Sequence, residues 1–393
     1  MKQKACFGAL LVGMMAFCMA TMVQGGNYPN TPDWVKRALR PGSSKSGNKP
    51  QNQNTDTRYQ PKSQNWVNKA LHPDKHEAAE PGQAFPKPGQ PYYLMLCQER
   101  PHLYWFIQGG GFFRLTNQGV FRAPTAMCPG PKGGVLVMDL PRLAADATIL
   151  WQVSNQGHAS PVCRWQPGGL IKCPTQMIWA GKQLFISDSD NGLLVVTRDG
   201  SVNRLLYPGN IAQEGGQPMG PAKGRFGGIC TDGRALYVAQ GGYHKTRRRS
   251  SHVISFNTSS VPGCVMRLVS GGGASVIGTD GGGALFTPKA MVMDVNGRLF
   301  VTDYGQKNHE YAGLKILSQG RLIDVPVRVG NRSLRGPWGI SLDRDGALLV
   351  ADPLMWNARG NSGIALRVVP GGPSQILFSG NGQHRPIAVL AGR

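Results

Sequence analysis

Four aspartates occur at equivalent places in a repeated pattern and are the first candidates for chemistry. Asp139, Asp188, Asp303 and Asp352 each follow a short apolar run, as in LFVTD and LLVAD. Converging carboxylates could bind a divalent ion or act as acid and base. An aspartate that closes successive copies of a repeat is, however, what a structural role predicts, because Asp readily accepts hydrogen bonds from a following turn. We therefore predict that these four carboxylates are structural.

A second candidate set combines cations with aromatic rings on long loops, where binding residues tend to concentrate. The loops are Gly241–His252, Tyr304–Ala312 and Pro353–Gly363. Cations beside aromatic rings suit an anionic glycan, a phosphorylated ligand or an acidic protein loop. The alternative is that these loops are solvated and bind no ligand. The candidate ligand-binding residues are Tyr243, His244, Lys245, Arg247, Arg248, Arg249, Tyr304, Lys307, His309, Trp356 and Arg359.

The net charge favours acidic partners. The 393 residues carry a formal charge of +22. Two lysines near the start and a surplus of five cations over residues 26–91 leave +15 for the remainder. A field of this sign attracts anionic glycans, lipid head groups or acidic proteins. Nucleic acid is disfavoured as a partner because the chain begins with an export signal.

That signal is read from the first 25 residues. Lys2 and Lys4 precede the apolar stretch Ala5–Met22, and small residues follow at a suitable cleavage position. A membrane anchor is the alternative, but the stretch barely reaches spanning length and lacks a basic flank after it. We predict a signal peptide over residues 1–25, a periplasmic or secreted mature protein, and no transmembrane helix in that mature chain.

Six cysteines remain after the signal, an even number that favours disulfides in an exported protein. They show neither CxxC spacing nor histidines at zinc-finger intervals. Proximity along the chain pairs Cys163 with Cys173, Cys97 with Cys128, and Cys230 with Cys264, which is one of many connectivities.

Residues 26–91 are poor in apolar side chains and are predicted to be disordered, except for two related segments at 31–41 and 63–73. DWVKRALRP returns as NWVNKALHP, and each copy would form a helix of about two turns, too short to be stable alone. We predict that the pair folds on a partner protein; packing on the chain's own folded part and a chance match are the alternatives. The docking residues are Trp34, Val35, Leu39, Trp66, Val67 and Leu71.

The folded part must position the loops, and its pattern is a repeated strand–turn–strand phrase. PKAMVMDVNGRLFVTD over 288–303 and PWGISLDRDGALLVAD over 337–352 each contain two apolar strands around an Asn-Gly or Asp-Gly turn. Aligned by the second strand, six copies end at Gln108, Asp139, Asp188, Gln240, Asp303 and Asp352. In the first copy, Tyr92–Cys97 is the expected first strand. Further strands follow most copies, as at Leu193–Val196 and Val202–Leu206.

Four short antiparallel strands at intervals of about fifty residues are typical of a propeller blade. We predict an all-β, six-bladed β-propeller over residues 92–393, preceded by the signal peptide and the disordered tail. The final PIAVL segment resembles a first strand, so the two chain ends should share one blade. The loops between second and third strands and the blade connections then emerge on one face, which is the candidate site.

The phrase at 337–352 resembles an NHL repeat, and the gluconolactonase and regucalcin-like propellers look similar. The resemblance is strongest over residues 288–370 and does not reach residues 1–91. Lactonases of that kind place Asn, Asp or Glu near the start of the innermost strands, where they hold one divalent ion. The matching places here are Gln176, Gly227, Lys289 and Trp338. Because these residues offer no set of hard oxygen ligands, we predict no cofactor; Ca²⁺ or another divalent ion belongs only to the lactonase alternative.

Three functional hypotheses follow. The first is an exported, non-enzymatic binding or scaffold protein of a bacterial envelope assembly, docking partners through its tail. Two copies of one motif on a flexible tail raise the effective concentration for the second contact. The second is a metal-dependent lactonase or hydrolase, and the third is a propeller that binds an anionic glycan or lipid through its basic face.

Overall fold

The structure, a computed structural model, describes residues 90–392 with gaps at 109–111, 118, 131–132, 141–145, 207–225, 242, 247–256, 262, 270–272, 280–284, 306–310, 330–331, 357–361 and 381–383. The described residues contain 28 β-strands and no α-helix. The predicted all-β class is confirmed. The predictions for the signal peptide and for the tail lie outside the described residues.

The first sheet joins the two ends of the folded part. Its strands are β1 (Tyr93–Cys97), β2 (Leu103–Phe106), β3 (Phe112–Arg114) and β28 (Pro386–Ala391), in the order β28-β1-β2-β3. Leu94 of β1 pairs with Leu390 of β28 in an antiparallel register. The C-terminal segment therefore supplies the first strand of this sheet, as predicted.

Three more sheets repeat this four-stranded antiparallel meander. The second sheet contains β4 (Pro124–Pro129), β5 (Val135–Asp139), β6 (Thr148–Val153) and β7 (Ala159–Trp165). The third contains β8 (Pro174–Ala180), β9 (Gln183–Asp188), β10 (Gly192–Val196) and β11 (Val202–Leu206). A further sheet near the C-terminus contains β24 (Gly339–Leu342), β25 (Leu348–Trp356), β26 (Ser362–Val368) and β27 (Ser374–Ser379).

Between them lies one eight-stranded sheet made of two four-stranded halves. One half contains β12 (Phe226–Thr231), β13 (Ala235–Gln240), β16 (Cys264–Val269) and β17 (Gly273–Thr279). The other contains β18 (Pro288–Met293), β19 (Leu299–Asp303), β20 (Gly313–Ser318) and β21 (Arg321–Val325). One parallel pair, Thr279 with Arg321, connects the halves. The propeller class is confirmed, although two of the expected separate blades are fused by this pair.

Two short hairpins project from this framework within the described residues. The first consists of β14 (Tyr243–Thr246) and β15 (Asn257–Val261), inserted between β13 and β16. The second consists of β22 (Arg328–Val329) and β23 (Arg332–Ser333), between β21 and β24. The first hairpin therefore belongs to a connection between second and third strands.

The hydrophobic core is a closed series of clusters between neighbouring sheets. Leu136 and Leu184 pack between the second and third sheets, and Phe300 and Leu348 pack between β18–β21 and β24–β27. The series closes where Met95 of the first sheet meets Leu349 of the last. Burying apolar area on both faces of each sheet stabilises the ring by roughly 25 cal/mol per Å² removed from water.

Tight turns join first to second strands on one face, as predicted. At 294–298 the Asp294 carboxylate accepts hydrogen bonds from the backbone N–H groups of Asn296 and Arg298, and Gly297 adopts a φ of 76°. Gly346 has a φ of 84° in the equivalent turn of the last sheet. These left-handed conformations favour glycine, which explains the Asn-Gly and Asp-Gly signals.

The strand order of the first sheet differs from the one predicted by aligning the six repeat copies. β1 is its second strand and β2 its third, so Leu103–Gln108 is not a second strand. Cys97 pairs with Pro386, just as Asp303 pairs with Pro288. Cys97, not Gln108, therefore occupies the strand-closing position of this sheet.

The predicted disulfides are not present among the described residues. Cys230 and Cys264 lie on β12 and β16, which β13 separates. Two strand spacings amount to about 9–10 Å, whereas a disulfide needs Cα atoms within about 7 Å. Cys97 and Cys128 belong to different core clusters. Cys163 lies on β7, the outermost strand of its sheet, and Cys173 precedes β8, the innermost strand of the next.

Arg344 holds the two ends of the ring together. Its guanidinium donates to the backbone carbonyl oxygen atoms of Tyr92, at 3.2 Å, and of Gly392. Replacing Arg344 with alanine should lower the free energy of unfolding by about 1 kcal/mol, because both carbonyl groups lose a charged donor. Urea unfolding measures this, with Arg234→Ala, in an exposed turn of another sheet, as the control. Equal stability of the two variants would contradict the assignment.

Candidate functional site

The strand-closing aspartates bind backbone N–H groups of their own sheets. One Asp352 oxygen accepts from Arg335 and Gly336, and the other accepts from Leu354 and Met355, at 2.8–3.2 Å. The side chain thus joins the incoming connection to the end of the second strand.

The other three aspartates repeat this arrangement. Asp188 accepts from four backbone N–H groups, Asp303 from three, and Asp139 from those of Arg122 and Ala123. Each of the four residues is at most 2% exposed. Burial raises the pKa of each carboxyl, while the backbone N–H donors favour the charged form and oppose the rise. The predicted structural role is confirmed.

Gln176 crosses the central axis, around which the innermost strands pack. Its Oε1 atom accepts from the backbone N–H groups of Ile229 at 2.7 Å and Met291 at 2.8 Å. Its Nε2 atom donates to the backbone carbonyl of Met291 at 2.9 Å. One amide on β8 therefore ties together β8, β12 and β18, and satisfies two N–H groups and one carbonyl that would otherwise be unpaired.

Glycines let the innermost backbones approach each other closely at this point. A Cβ atom added at Gly227 would lie 2.0 Å from the carbonyl oxygen of Pro288, and one at Gly228 would lie 2.5 Å from the backbone of Ala290. At Gly339 an added Cβ would lie 2.5 Å from the carbonyl oxygen of Ile387. Neighbouring innermost strands are consequently in close backbone contact at these places.

A small cavity lies among the innermost strands. A cavity of about 20 Å³ is lined by residues of β4, β8, β18, β24 and β28, including Thr125, Gln176 and Ile340. Such a volume accommodates about one water molecule. It cannot admit a sugar lactone between the innermost strands.

The residues at the axis do not fit a divalent ion. Of the four positions that match the lactonase ligands, Gln176 is engaged by backbone, Gly227 has no side chain, and Lys289 and Trp338 bear N–H groups in place of oxygen ligands. Hard cations such as Ca²⁺ take six to eight oxygen ligands. Across the described residues no three His, Cys, Asp or Glu side chains are grouped as a metal site.

The entrance to the axis instead holds a cation between aromatic rings. The Lys289 ammonium lies 4.1 Å from the centroid of the Trp338 ring and 5.5 Å from that of Tyr304. The two rings meet edge to face at 5.5 Å. Lys289 follows the first residue of β18 and Trp338 precedes β24, so both lie where innermost strands begin. We call Lys289, Trp338 and Tyr304 the axial mouth.

Cys173 lies near this group. Partial desolvation by neighbouring groups raises the pKa of its thiol, and the Lys289 ammonium opposes the rise because it stabilises the thiolate. Cys173 is exposed, unlike the other five described cysteines, which are buried. The entrance therefore brings residues of three different sheets together.

The surrounding face, formed by the second-to-third strand loops and by the connections between sheets, is called the loop face here. Two of its arginines are paired: Arg122 with Asp146 and Arg385 with Glu99, each at 2.6 Å. Its described cations include Arg100, Arg122, Lys172, Lys289, Arg335 and Arg385, and its described acids include Glu99, Asp146 and Asp190. The cationic character predicted from the sequence extends to the sheet connections.

The predicted ligand-binding residues are only partly described. Tyr243, His244 and Lys245 lie on β14, whose backbone pairs with β15, and Trp356 is the last residue of β25. Tyr304 belongs to the axial mouth. Arg247, Arg248, Arg249, Lys307, His309 and Arg359 lie outside the described residues, as do the tail residues Trp34, Val35, Leu39, Trp66, Val67 and Leu71.

The sequence analysis predicts Tyr304 as a ligand-binding residue but not Lys289 or Trp338. Both residues stand where first strands start, the positions at which the resemblance to lactonases implies metal ligands. The signal that could have found them is the repeated phrase itself: an unusual residue at the same place in consecutive copies, lysine in PKAM and tryptophan in PWGI.

The chain is similar to solved structures, but its sequence matches no family model. No family model matches the chain, and no curated protein matches it. A gluconolactonase from Xanthomonas campestris is similar at 12% identity and a TM-score of 0.45, covering 78% of this chain and 90% of its own.

A virginiamycin B lyase from Staphylococcus aureus, a catalytically inactive variant with quinupristin, is similar at 14% identity and a TM-score of 0.42. It covers 70% of this chain and 76% of its own. A putative gluconolactonase is similar at 15% identity and a TM-score of 0.43, over 68% and 84% of the two chains. At this level of similarity the neighbours carry no information on activity.

Within the described part of the chain, no helix has the length and apolar character needed to cross a membrane.

Proposed function

We propose that this chain is an exported, non-enzymatic scaffold propeller of a bacterial envelope assembly. It recruits partners through the two tail segments and offers the loop face to an acidic ligand. We also infer that the ring is NHL-like. It has six blades when each four-stranded half of the eight-stranded sheet is counted as one blade. Metal or another cofactor has no part in this function.

The observation that carries the proposal is that the polar side chains at the axis and at the strand ends are hydrogen-bonded to backbone groups. The amide of Gln176 occupies the place where a lactonase of similar fold would need an oxygen ligand, and three of its hydrogen bonds go to backbone. The aspartates that could have supplied acid–base chemistry are buried and bonded to backbone N–H groups. Because these polar groups are engaged in holding strands, they support a rigid binding platform better than a catalytic centre.

The loop face supports an acidic ligand as the complement of this platform. Apart from the four buried strand-closing aspartates, the described cations of this face outnumber its described acids, and Lys289 is held by two aromatic rings. A basic, aromatic surface attracts acidic proteins, anionic glycans and lipid head groups through its field, and this attraction weakens as salt screens it.

The experiment is an affinity purification from native envelope fractions that compares three forms of the mature chain. They are the full mature chain, a chain beginning at Pro91, and the Trp34→Ala/Trp66→Ala variant. We expect the same partners to be lost from the last two, because Trp34 and Trp66 provide the largest apolar surfaces of the tail segments.

The matched control is Lys36→Ala/Asn68→Ala, which changes one of the positions of the repeat where the two copies differ. This control should retain the partners. An unchanged partner list for the chain beginning at Pro91 would overturn the docking role of the tail.

A further inference from the structure

We infer that the axial mouth is a carboxylate-binding subsite, and that its occupant is an acidic side chain of a polypeptide partner. The inference rests on the proposed binding function of the loop face and names the group that would be recognised there. In this inference Lys289 and Trp338 bind the ligand, and the Tyr304 ring packs against the lysine side chain and holds it in place.

The N–H group of the Trp338 indole is the first feature that supports the subsite. Its Nε1 atom is buried and has no hydrogen-bond partner among the described residues. A buried N–H group without an acceptor costs about 1–3 kcal/mol, so native structures rarely retain one without a reason. Trp165 Nε1 donates to the Gly200 carbonyl at 2.8 Å, whereas the Nε1 atoms of Trp105 and Trp151 also lack a partner among the described residues. Trp338 is distinguished by the Lys289 ammonium that lies over its ring. An acceptor supplied by a ligand would remove the cost at Trp338.

The second argument is the neighbouring charge. Lys289 is only 7% exposed, and its ammonium lies 4.1 Å from the centroid of the same indole ring. A cation and an N–H donor on adjacent groups both favour an anionic oxygen acceptor. Hydrogen bonds between charged partners are shorter and stronger than neutral ones, and are further strengthened where water is excluded.

The third argument selects the class of anion. The ammonium occupies one face of the Trp338 ring, and the ring also packs against the core cluster that contains Ile387. A sugar ring therefore cannot stack on the lysine-covered face. An ammonium and an N–H donor on adjoining groups could together bind the two oxygen atoms of one carboxylate, as in a glutamate or aspartate side chain.

The inference can be tested by titrating the mature protein with hexaglutamate at low salt and measuring heat or fluorescence. Trp338 fluorescence is one of several tryptophan signals, so calorimetry is the primary readout. Lys289→Met retains most of the apolar stem, and Trp338→Phe retains the ring while removing the N–H donor. We expect Kd to rise at least about tenfold for Lys289→Met and severalfold for Trp338→Phe.

The matched control is Lys172→Met, which removes one exposed cation from the same face. It should change Kd less than twofold. An equal rise in Kd for Lys172→Met and Lys289→Met would overturn the subsite. It would show that binding depends on the overall positive charge of the face and not on one site. Unchanged binding by Trp338→Phe would also overturn it, and this variant remains informative if Lys289→Met does not fold.

Two further outcomes separate this subsite from the proposed function. If oligogalacturonate binds at the axial mouth and hexaglutamate does not, the occupant is a glycan and the polypeptide assignment is wrong. If neither binds, the subsite is wrong, while the tail-dependent partners of the affinity purification would still support the scaffold function.

Discussion

Replacing Gln176 with leucine is expected to lower the free energy of unfolding by about 4 kcal/mol. The change removes the acceptor of two N–H groups, from Ile229 and Met291, and the donor to the Met291 carbonyl. Each buried group left unpaired costs about 1–3 kcal/mol. Leucine cannot provide compensating bonds, and the tight approach of the glycine-bearing strands leaves little room for rearrangement. Denaturant unfolding of the mature chain measures the loss.

The control for this prediction is Gln375→Leu, the same chemical change at an exposed position of β27. It should alter the free energy of unfolding by less than about 0.5 kcal/mol, as surface substitutions usually do. If Gln176→Leu were as stable as this control, the amide would not tie the innermost strands together. The axis would then be open to another role.

Replacing Asp352 with asparagine should cost about 3 kcal/mol, the second large effect. The aspartate accepts two backbone N–H groups at each carboxylate oxygen. Asparagine replaces one oxygen with an amide NH₂ that meets two donors, so two buried N–H groups lose their acceptor. Because these groups lie in the connection at Arg335 and Gly336 or in the segment at Leu354 and Met355, the loop face should loosen locally. Hydrogen exchange of those amides would rise.

Asp190→Asn is the matched control, since it removes one negative charge from an exposed residue of the same face. It should leave both unfolding and hydrogen exchange unchanged. A similar loss in the two variants would show that net charge, and not the N–H bonds, determines the effect of the Asp352 change.

Much of this architecture could be predicted from the sequence because a local pattern encodes it. The phrase at 288–303 became β18 and β19 with the turn at Asn296-Gly297, and the closing aspartates became the side chains that join connections to strands. Period-two alternation and turn glycines are local signals, so they survive in a single sequence.

The failures have a different physical origin. The first sheet was misaligned because Cys97 stands at its strand-closing position, so the aspartate signal was missing there. Disulfides were paired by sequence proximity, whereas the meander places Cys230 and Cys264 two strands apart. The axial mouth arises from packing between sheets, which brings Lys289 beside Trp338; no local pattern records such a contact.

The most direct test of the account is thermal unfolding of the mature protein with and without millimolar Ca²⁺, Mn²⁺ or Zn²⁺, each against a chelator. A native-state metal site stabilises by about 2.7 kcal/mol when the ion is a hundredfold above its Kd. Because the Gln176 amide and the strand-closing aspartates are engaged by backbone groups, we expect no stabilisation by any of the three ions. A stabilisation that saturates with one ion per chain and disappears in Gln176→Leu would contradict the account and place a metal centre on the axis.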